Sequence, residues 1–279
     1  MSEKTLVRDK FYFFASRAHD DDIYFGKPGR NRVHTWSRIT PAEGAHMLGV
    51  PNMIMVSSDG EPVPFSSESY SVMESFCRMK SVMWSVVGSC GFRSLREEEF
   101  ICDIAEKYPN VTGAYIDDMF VGTDIFGEGE DKSKEEEFTQ KIKTIRKKID
   151  KASRPMELWS TCYVKYSEKF RPSMYDPIDV IAVWNMNTDD IAKLEEDMQV
   201  YEKLLPNKRK VLGLYIYDYR KGEGVSTELM EIQCEKGLKW LKEGRIEGMV
   251  FLTNCVMGIG LESEYWLRDW IDKVGDQEL

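Results

Sequence analysis

The chain contains 279 residues, of which 42% are hydrophobic and 31% are charged, and its formal net charge is −10. A chain of this length can bury a substantial core, and it suits one large domain. The acidic balance argues against a nucleic-acid partner and against an anionic membrane surface, because both would call for clustered lysine and arginine.

The sequence predicts an intracellular location. The N-terminal stretch MSEKTLVRDK lacks the apolar segment of a secretory signal, and no run approaches the roughly 18 apolar residues of a membrane span. The six cysteines are scattered without a CxxC pair, which favours reduced thiols over a disulfide framework. We therefore expect a cytoplasmic protein that contacts no membrane.

Eight short apolar runs recur along the chain, and each is followed by a polar stretch with helical periodicity. The predicted strands are 11–16, 52–57, 82–88, 112–117, 157–162, 179–185, 211–218 and 248–253. Strands that alternate with helices indicate parallel βαβ units. The count of eight, and the absence of a GxGxxG motif after the first run, favour a single (β/α)8 barrel over residues 1–279. An open doubly wound sheet is the alternative fold.

Several predicted helices begin at recognisable capping sequences. Thr40-Pro41-Ala42-Glu43 combines a capping threonine, a proline at the first helical position and a glutamate at the third. Ser94 with Glu97, and Ser133 with Glu136, repeat the capping-box spacing, and Ser226 begins a helix that runs to about Glu243. The remaining predicted helices are 67–80, 131–152, a short one near 164–170, one from Asn187 or Thr188 to Leu205, and 262–274.

Alternate residues of a barrel strand face the lumen and the surrounding helices. If the aliphatic side chains face the helices, the lumen is aromatic and polar. The side chains then predicted to point inward are Tyr115, Asp117, Trp159, Thr161, Ala182, Trp184, Tyr215, Tyr217, Tyr219, Phe251 and Thr253. Such a lumen suits a polyhydroxylated ligand, because aromatic faces pack on sugar C–H surfaces and carboxylates bind hydroxyls.

Three aspartates follow predicted strands at the end of the barrel where catalytic groups lie. Asp117 and Asp118 end the fourth strand, and Asp218 ends the seventh. Two adjacent carboxylates raise the pKa of one member, which can then donate a proton near neutral pH. The structural alternative is that these aspartates cap loops or pair with arginines.

Other polar and aromatic residues near the strand ends are candidates for substrate binding. These candidates are Arg17, Trp84, Trp159, Trp184, Asn185, Tyr217, Tyr219 and Asn254. Each has a structural alternative: the tryptophans can fill the core, the asparagines can form turns, and Arg17 can be a solvated loop charge.

No cofactor is predicted, although the aspartate pair leaves one alternative. The chain has only three histidines and contains neither HxH nor HExxH, so a zinc site is not predicted. A hard divalent ion such as Mg²⁺ could instead bind Asp117 and Asp118 through oxygen.

The order of elements resembles the (β/α)8 glycoside hydrolase superfamily along nearly the whole chain. In a large clan of these enzymes an acid/base carboxylate ends the fourth strand and a nucleophile ends the seventh. The segments TGAYIDDMF and LGLYIYDYRKG match those two positions, so the resemblance implies acid/base roles for Asp117 or Asp118 and a nucleophile or charge stabiliser at Asp218. The sequence departs from the clan in three respects: its carboxylates are aspartates, Ile116 stands where the clan has asparagine, and the DxxDxDxE run of chitinase-like barrels is absent.

The leading hypothesis is a carbohydrate-active enzyme that acts on a small glycoside by carboxylate acid/base chemistry. Two alternatives are a metal-dependent sugar lyase, isomerase or epimerase, and a barrel that binds a glycan without chemistry. The sugar, the linkage, the stereochemical outcome and the oligomeric state stay open at this point.

Overall fold

A computed structural model of the protein describes residues 4–19, 37–118, 132–164, 167, 171–185 and 188–279, without the side chains of 132–134. Eight parallel strands form a closed barrel in which each strand pairs with the next and the last pairs with the first. The strands are β1 Phe11–Ala15, β2 Asn52–Met55, β3 Ser81–Val87, β4 Val111–Ile116, β5 Glu157–Tyr163, β6 Val180–Trp184, β7 Arg209–Tyr215 and β8 Gly248–Leu252. The predicted (β/α)8 barrel is confirmed.

The described residues contain seven α-helices, which surround the barrel. They are α1 Pro41–Leu48, α2 Ser67–Ser75, α3 Glu97–Lys107, α4 Lys132–Ile149, α5 Leu194–Leu204, α6 Thr227–Lys242 and α7 Glu262–Val274. The short helix predicted near 164–170 lies largely outside the described residues. None of the helices in the described part of the chain is long and apolar enough to cross a bilayer.

Two of the predicted capping sequences act as expected. Thr40 accepts a hydrogen bond of 3.3 Å from the amide of Glu43, whose carboxylate accepts one of 2.8 Å from the amide of Thr40. Ser226 caps α6. The amide of Ser94 bonds to the carboxylate of Glu97, but α3 begins only at Glu97, after the predicted position.

Predicted boundaries moved at two other helices. Helix α2 ends at Ser75, before the predicted residue 80. Thr188 begins a 3-10 helix, Thr188–Lys193, that leads into α5. Asn187, the other cap proposed there, and the side chain of Ser133 lie outside the described residues.

Two hydrophobic layers stabilise the barrel, one between the strands and the helices and one inside the lumen. In the outer layer, Phe138 and Ile142 of α4 are buried, as the helical spacing of its apolar residues predicts. The lumen is filled by large side chains, among them Phe14, Tyr115 and Trp184. The lumen is therefore a packed interior and not a pore.

The predicted strand faces are confirmed for β4, β5 and β6, and for Tyr215 of β7. The prediction was wrong for β8, where Val250 and Leu252 face the lumen and Phe251 packs in the outer layer. Pairing explains the reversal, since Leu252 lies beside Phe14 of β1, which also faces inward. All five residues of β8 are apolar or glycine, so hydrophobicity alone could not determine its phase.

The seventh strand is shorter than predicted. Strand β7 ends at Tyr215, and a separate hairpin follows in which Tyr217–Asp218 pairs with Glu223–Gly224. Because the chain leaves the barrel at Ile216, the alternation no longer applies, and Tyr217 packs in the outer layer instead of the lumen. The predicted inward position of Tyr217 was therefore wrong.

Candidate active site

Asp117 and Asp118 lie at the carboxyl end of β4. The backbone amide of Asp117 still bonds to the carbonyl of Val87 at 2.9 Å, so its side chain keeps the inward phase of the strand and is only 5% exposed. Asp118 then adopts a left-handed conformation with φ 44°. This turn ends the strand and places the second carboxylate beside the first.

A chain of hydrogen bonds leads through the lumen to Asp117. Thr161 donates to Asp117 Oδ1 at 2.9 Å, the hydroxyls of Tyr115 and Thr161 are 2.8 Å apart, and the indole nitrogen of Trp184 lies 3.4 Å from the Tyr115 hydroxyl. The Thr161 hydroxyl has one proton, which it donates to Asp117, so Tyr115 donates to Thr161, and the indole N–H of Trp184 can only donate to Tyr115. Oδ1 of Asp117 is therefore the acceptor at the end of this chain.

Asp118 is held by a different pair of donors. The hydroxyl of Tyr163 donates to Oδ1 at 2.7 Å, and the backbone amide of Cys90 donates to Oδ2 at 3.1 Å. Cys90 has φ 55°, so the loop after β3 turns in a left-handed conformation where it meets the carboxylate. Asp118 thus accepts one hydrogen bond on each oxygen, which holds its carboxyl group in place.

The two carboxyls differ in their electrostatic environment. Burial, and then the negative charge of Asp118, raise the pKa of Asp117 well above its ordinary value, and hydrogen bonds from Thr161 and the Asp118 amide offset only part of this effect. The raised pKa favours the protonated form of Asp117. A carboxyl group that keeps its proton to higher pH is what general acid catalysis requires.

Three lumen tyrosines surround the pair. Burial raises the pKa values of Tyr115, Tyr163 and Tyr215, and the neighbouring carboxylates raise them further. The tyrosines are therefore neutral hydroxyls that can donate hydrogen bonds. Tyr215 is half-buried and bonds to Tyr163.

Sequence analysis did not name Tyr163 and Tyr215 as site residues. Tyr163 was missed because β5 was predicted to end at residue 162, although the inward phase of Trp159 and Thr161 continues to Tyr163. The signal that could have found it is the same two-residue period, extended by one residue.

Asp218, the predicted partner carboxylate, is buried in its own hairpin and is 1% exposed. The amides of Arg220 and Lys221 each donate to its Oδ1 at 2.9 Å, and the hydroxyl of Thr188 donates to Oδ2. Burial raises its pKa, but these hydrogen bonds outweigh burial and leave the pKa below its ordinary value. The contacts thus tie the loop after β7 to the loop after β6.

The three candidate tryptophans lie at different depths, and none is at the mouth. Trp84 belongs to the outer layer, where its ring packs edge to face on Phe100 of α3, so it neither lines the mouth nor fills the lumen. Trp159 lies low in the lumen, where its indole donates to Glu157 at 2.8 Å. Trp184 is 2% exposed and packs edge to face on Phe14.

The two candidate asparagines hold loops. Asn185 donates to Asp197 of α5 at 2.8 Å. Asn254 is fully buried: it accepts from the amide of Ser16 at 3.1 Å and donates to the carbonyl of Ile39 at 2.8 Å. These contacts join the segments that follow β8 and β1, as the structural alternative for asparagine predicts.

The last two candidates lie nearer the surface. Tyr219 is half-buried and packs edge to face on Tyr215 and Tyr217. Arg17 follows β1 at the carboxyl end of the barrel and is half-buried. Tyr219 thus has a direct ring contact to a lumen tyrosine near the carboxyl groups.

Within the described ranges, no three histidine, cysteine, aspartate or glutamate side chains are grouped so that they could hold a metal ion. Asp117 and Asp118 instead accept hydrogen bonds from hydroxyl and amide donors. The donors present around the pair are those that stabilise a carboxyl and a carboxylate.

Solved structures similar to this chain are mostly glycoside hydrolase barrels. One is a family 18 chitinase from Cycas revoluta in complex with (GlcNAc)4, at 10% identity, with a TM-score of 0.56 and coverage of 97% of this chain and 99% of that one. A second is a family 99 endo-α-mannosidase from Bacteroides thetaiotaomicron, at 10% identity, with a TM-score of 0.54 and coverage of 97% of this chain and 98% of that one. A third is a family 113 β-mannanase from Alicyclobacillus acidocaldarius, at 11% identity, with a TM-score of 0.52 and coverage of 98% of this chain and 99% of that one.

The fold is that of the glycoside hydrolase barrels. No family model matches the chain, and no curated protein matches it. At these identities the likeness shows the fold alone, so the function must be argued from the site.

Proposed function

We propose that the protein is a carbohydrate-active enzyme of the glycoside hydrolase type, with Asp117 as its general acid. The observation that carries the proposal is a buried aspartate, whose pKa is raised by burial and by its neighbour, beside a hydrogen-bonded carboxyl group at the carboxyl end of a barrel strand. Catalytic groups of barrel enzymes lie at this end of the strands. The glycosidase barrels that share the fold support the same reading.

In the proposed reaction, Asp117 donates its carboxyl proton to the glycosidic oxygen as the bond from that oxygen to the anomeric carbon breaks. Asp117 becomes an anion in this step, so its hydrogen bond from Thr161 strengthens as the transition state forms. A water molecule then supplies hydroxide to the anomeric carbon, and its remaining proton returns to the carboxylate. The products are the free sugar and the leaving alcohol.

Asp118 is proposed to stabilise the positive charge that develops on the sugar ring. Tyr163 and the amide of Cys90 hold it in place, so its charge is oriented before the reaction begins. Asp218 was expected to supply this charge, but its hydrogen bonds support a structural role in the hairpin after β7. We therefore assign the electrostatic role to Asp118.

The proposed substrate is a small glycoside, with carbohydrate as the only partner and without a cofactor. The hydroxyls of Tyr163 and Tyr215 can bond sugar hydroxyls, and the ring of Tyr219 offers an apolar face. The described site supplies the acid and the charge stabiliser from the chain itself.

The test is hydrolysis of a panel of disaccharides, whose leaving alcohols must be protonated, by the native chain and by Asp117→Asn. General acid catalysis contributes about 100- to 10,000-fold, so we expect a loss of kcat/KM of that size. Asp103→Asn is the matched control, because it makes the same chemical change on α3, outside the barrel, and should leave turnover unchanged.

Three results would contradict the proposal. If the native chain cleaves no glycoside of the panel, hydrolysis is excluded as the activity on these substrates. If Asp117→Asn keeps native turnover, Asp117 is not the acid. If activity disappears with a chelator and returns with a divalent ion, the metal-dependent alternative replaces the carboxylate mechanism.

A further inference from the structure

The loops after β2 and β3 expose apolar side chains at the carboxyl end of the barrel. Seven large hydrophobic residues of the described chain are exposed, and three of them lie in these two loops: Val63 at 48%, Phe92 at 42% and Leu95 at 65%. The other four are spread over helices and the C-terminus. Exposed apolar side chains that gather next to a site are a mark of ligand binding.

Phe92 is exposed, but its position is fixed by the backbone. The loop closes through hydrogen bonds from the amide of Gly88 to the carbonyl of Phe92 at 3.0 Å and from the amide of Phe92 to the carbonyl of Ser89 at 3.3 Å. Its ring lies directly on Gly60 of the preceding loop, where an added Cβ would be 2.5 Å from Phe92 Cε1. The ring is thus supported on one side and open on the other.

The same loop touches the catalytic pair. The amide of Cys90 donates to Asp118, and Phe92 is two residues farther along the chain. Two residues span at most about 7 Å, so the Phe92 backbone lies within about one sugar ring of the carboxylate contact. Partial burial and the charges of Asp118, Asp59 and Asp117 raise the pKa of the Cys90 thiol, so this thiol also lies close to the carboxylates.

We infer that Phe92 is the floor of a second subsite, which binds a ring attached to the sugar whose linkage meets Asp117. The occupant is a ring with an apolar face, either an aromatic aglycone or a further pyranose, which packs on the open face of Phe92. The inference rests on the proposed function and extends it: the substrate is a glycoside with at least two rings, not a methyl glycoside or a free monosaccharide.

Cys90 provides a positional test of this subsite. A ligand that covers Phe92 and reaches Asp118 must pass over Cys90, which is exposed in the ligand-free protein. Cys77 is also exposed but follows α2, at the opposite end of the barrel from the carboxyl ends of the strands. Alkylation of the two cysteines by iodoacetamide, followed by peptide mass spectrometry, therefore contains its own control.

Three probes are used for each of glucose, galactose, mannose, fucose and N-acetylglucosamine: the methyl glycoside, the 4-nitrophenyl glycoside and the disaccharide. They are applied to the Asp117→Asn chain so that none is consumed. For at least one sugar, we expect a two-ring compound to protect Cys90 at a concentration about 3- to 10-fold lower than the methyl glycoside. Cys77 should react at the same rate throughout. Protection by the aryl compound identifies an aglycone site, and protection by the disaccharide identifies a sugar site.

Two variants assign the effect to the ring. Phe92→Ala should remove the advantage of two-ring compounds, whereas Phe92→Tyr should keep it. Gly60→Ala should reduce it by pushing the ring away. Tyr265→Ala, which removes a 52% exposed aromatic from α7, is the matched control and should change nothing.

The inference is overturned if no two-ring compound protects Cys90 better than its methyl glycoside, or if the advantage persists in Phe92→Ala. Because alkylation measures occupancy and not turnover, a protein that binds two-ring glycosides without cleaving them would refute hydrolysis and keep the subsite. Conversely, hydrolysis that shows no dependence on Phe92 would keep the proposed hydrolysis and refute the subsite.

Discussion

Tyr163 donates a hydrogen bond of 2.7 Å to Asp118 Oδ1. Two residues earlier on the same strand, Thr161 donates to Asp117 at 2.9 Å. The period of a β-strand places both hydroxyls on one face, so one strand donates to both carboxyl groups at the end of its neighbour. This relationship leads to the first two predictions.

Replacement of Tyr163 by phenylalanine should lower kcat/KM. The variant removes the hydroxyl that donates to Asp118 Oδ1, so the carboxyl group is held less firmly in place. We expect kcat/KM to fall about tenfold. Tyr201→Phe is the control, because the Tyr201 hydroxyl donates to the backbone carbonyl of Tyr163 at 3.0 Å. Identical kcat/KM values for native and Tyr163→Phe would remove Tyr163 from the mechanism.

Replacement of Thr161 by valine should lower kcat more than it changes KM. The lost hydrogen bond is strongest when Asp117 is an anion, which occurs only after proton transfer begins. A hydrogen bond to a charged group contributes about 1.5 to 3 kcal/mol, so kcat should fall about 10- to 100-fold. The same donor lowers the pKa of Asp117 in the native chain, so the alkaline limb should move to higher pH. Thr161→Ser keeps the hydroxyl and should keep most of the activity.

Asp117→Asn should stabilise the fold while it abolishes turnover. The pKa of Asp117 is raised in the folded state, so between the ordinary value and the raised one the folded chain binds more protons, and its stability falls as pH rises. The Asp117→Asn variant does not lose stability in this way, because an amide side chain does not ionise. At pH 7 we expect the variant to have a higher Tm than native, and this gain should disappear below about pH 4. A lower Tm than native at neutral pH would show that the folded state does not disfavour the charge.

Asp218→Asn should destabilise the fold with little effect on chemistry. The pKa of Asp218 is lowered in the folded state, so its stabilising effect is present above the ordinary value and is lost as pH falls through the lowered one. Loss of the charge and of an acceptor for Thr188 should cost about 1 to 3 kcal/mol at pH 7, measured by denaturant unfolding. At 25 °C, kcat should stay within about tenfold of native, whereas removal of a nucleophile costs on the order of 10,000-fold or more. A loss of that size would restore Asp218 as a catalytic residue.

Much of the fold follows from local patterns in the sequence. Eight apolar runs in alternation with helices were enough to predict the barrel, and the caps at Thr40 and Ser226 were enough to predict where two helices begin. Asp117 could be predicted to face inward because β4 mixes aliphatic and polar residues, so one of its phases is clearly the helix-facing one.

Other features depend on contacts between segments that are far apart in the chain. The phase of β8 is decided by its pairing with β1, and the position of Tyr217 is decided by the hairpin that begins after Tyr215. Trp84 lies in the middle of an apolar run, and only the packing of β3 against α3 shows that its ring faces a helix and not the mouth of the barrel.

The barrel and the pair of aspartates at the end of its fourth strand follow from the sequence, because hydrophobic periodicity and capping act over a few neighbouring residues. The raised pKa of Asp117 and the residues that donate to the two carboxyl groups follow from the folded structure alone. Burial of Asp117 and the donors Thr161 and Tyr163 come from the closure of β4 against β5, more than 40 residues away. The pKa of a carboxyl group depends on its burial and on the charges close to it in space, and a local sequence pattern gives neither.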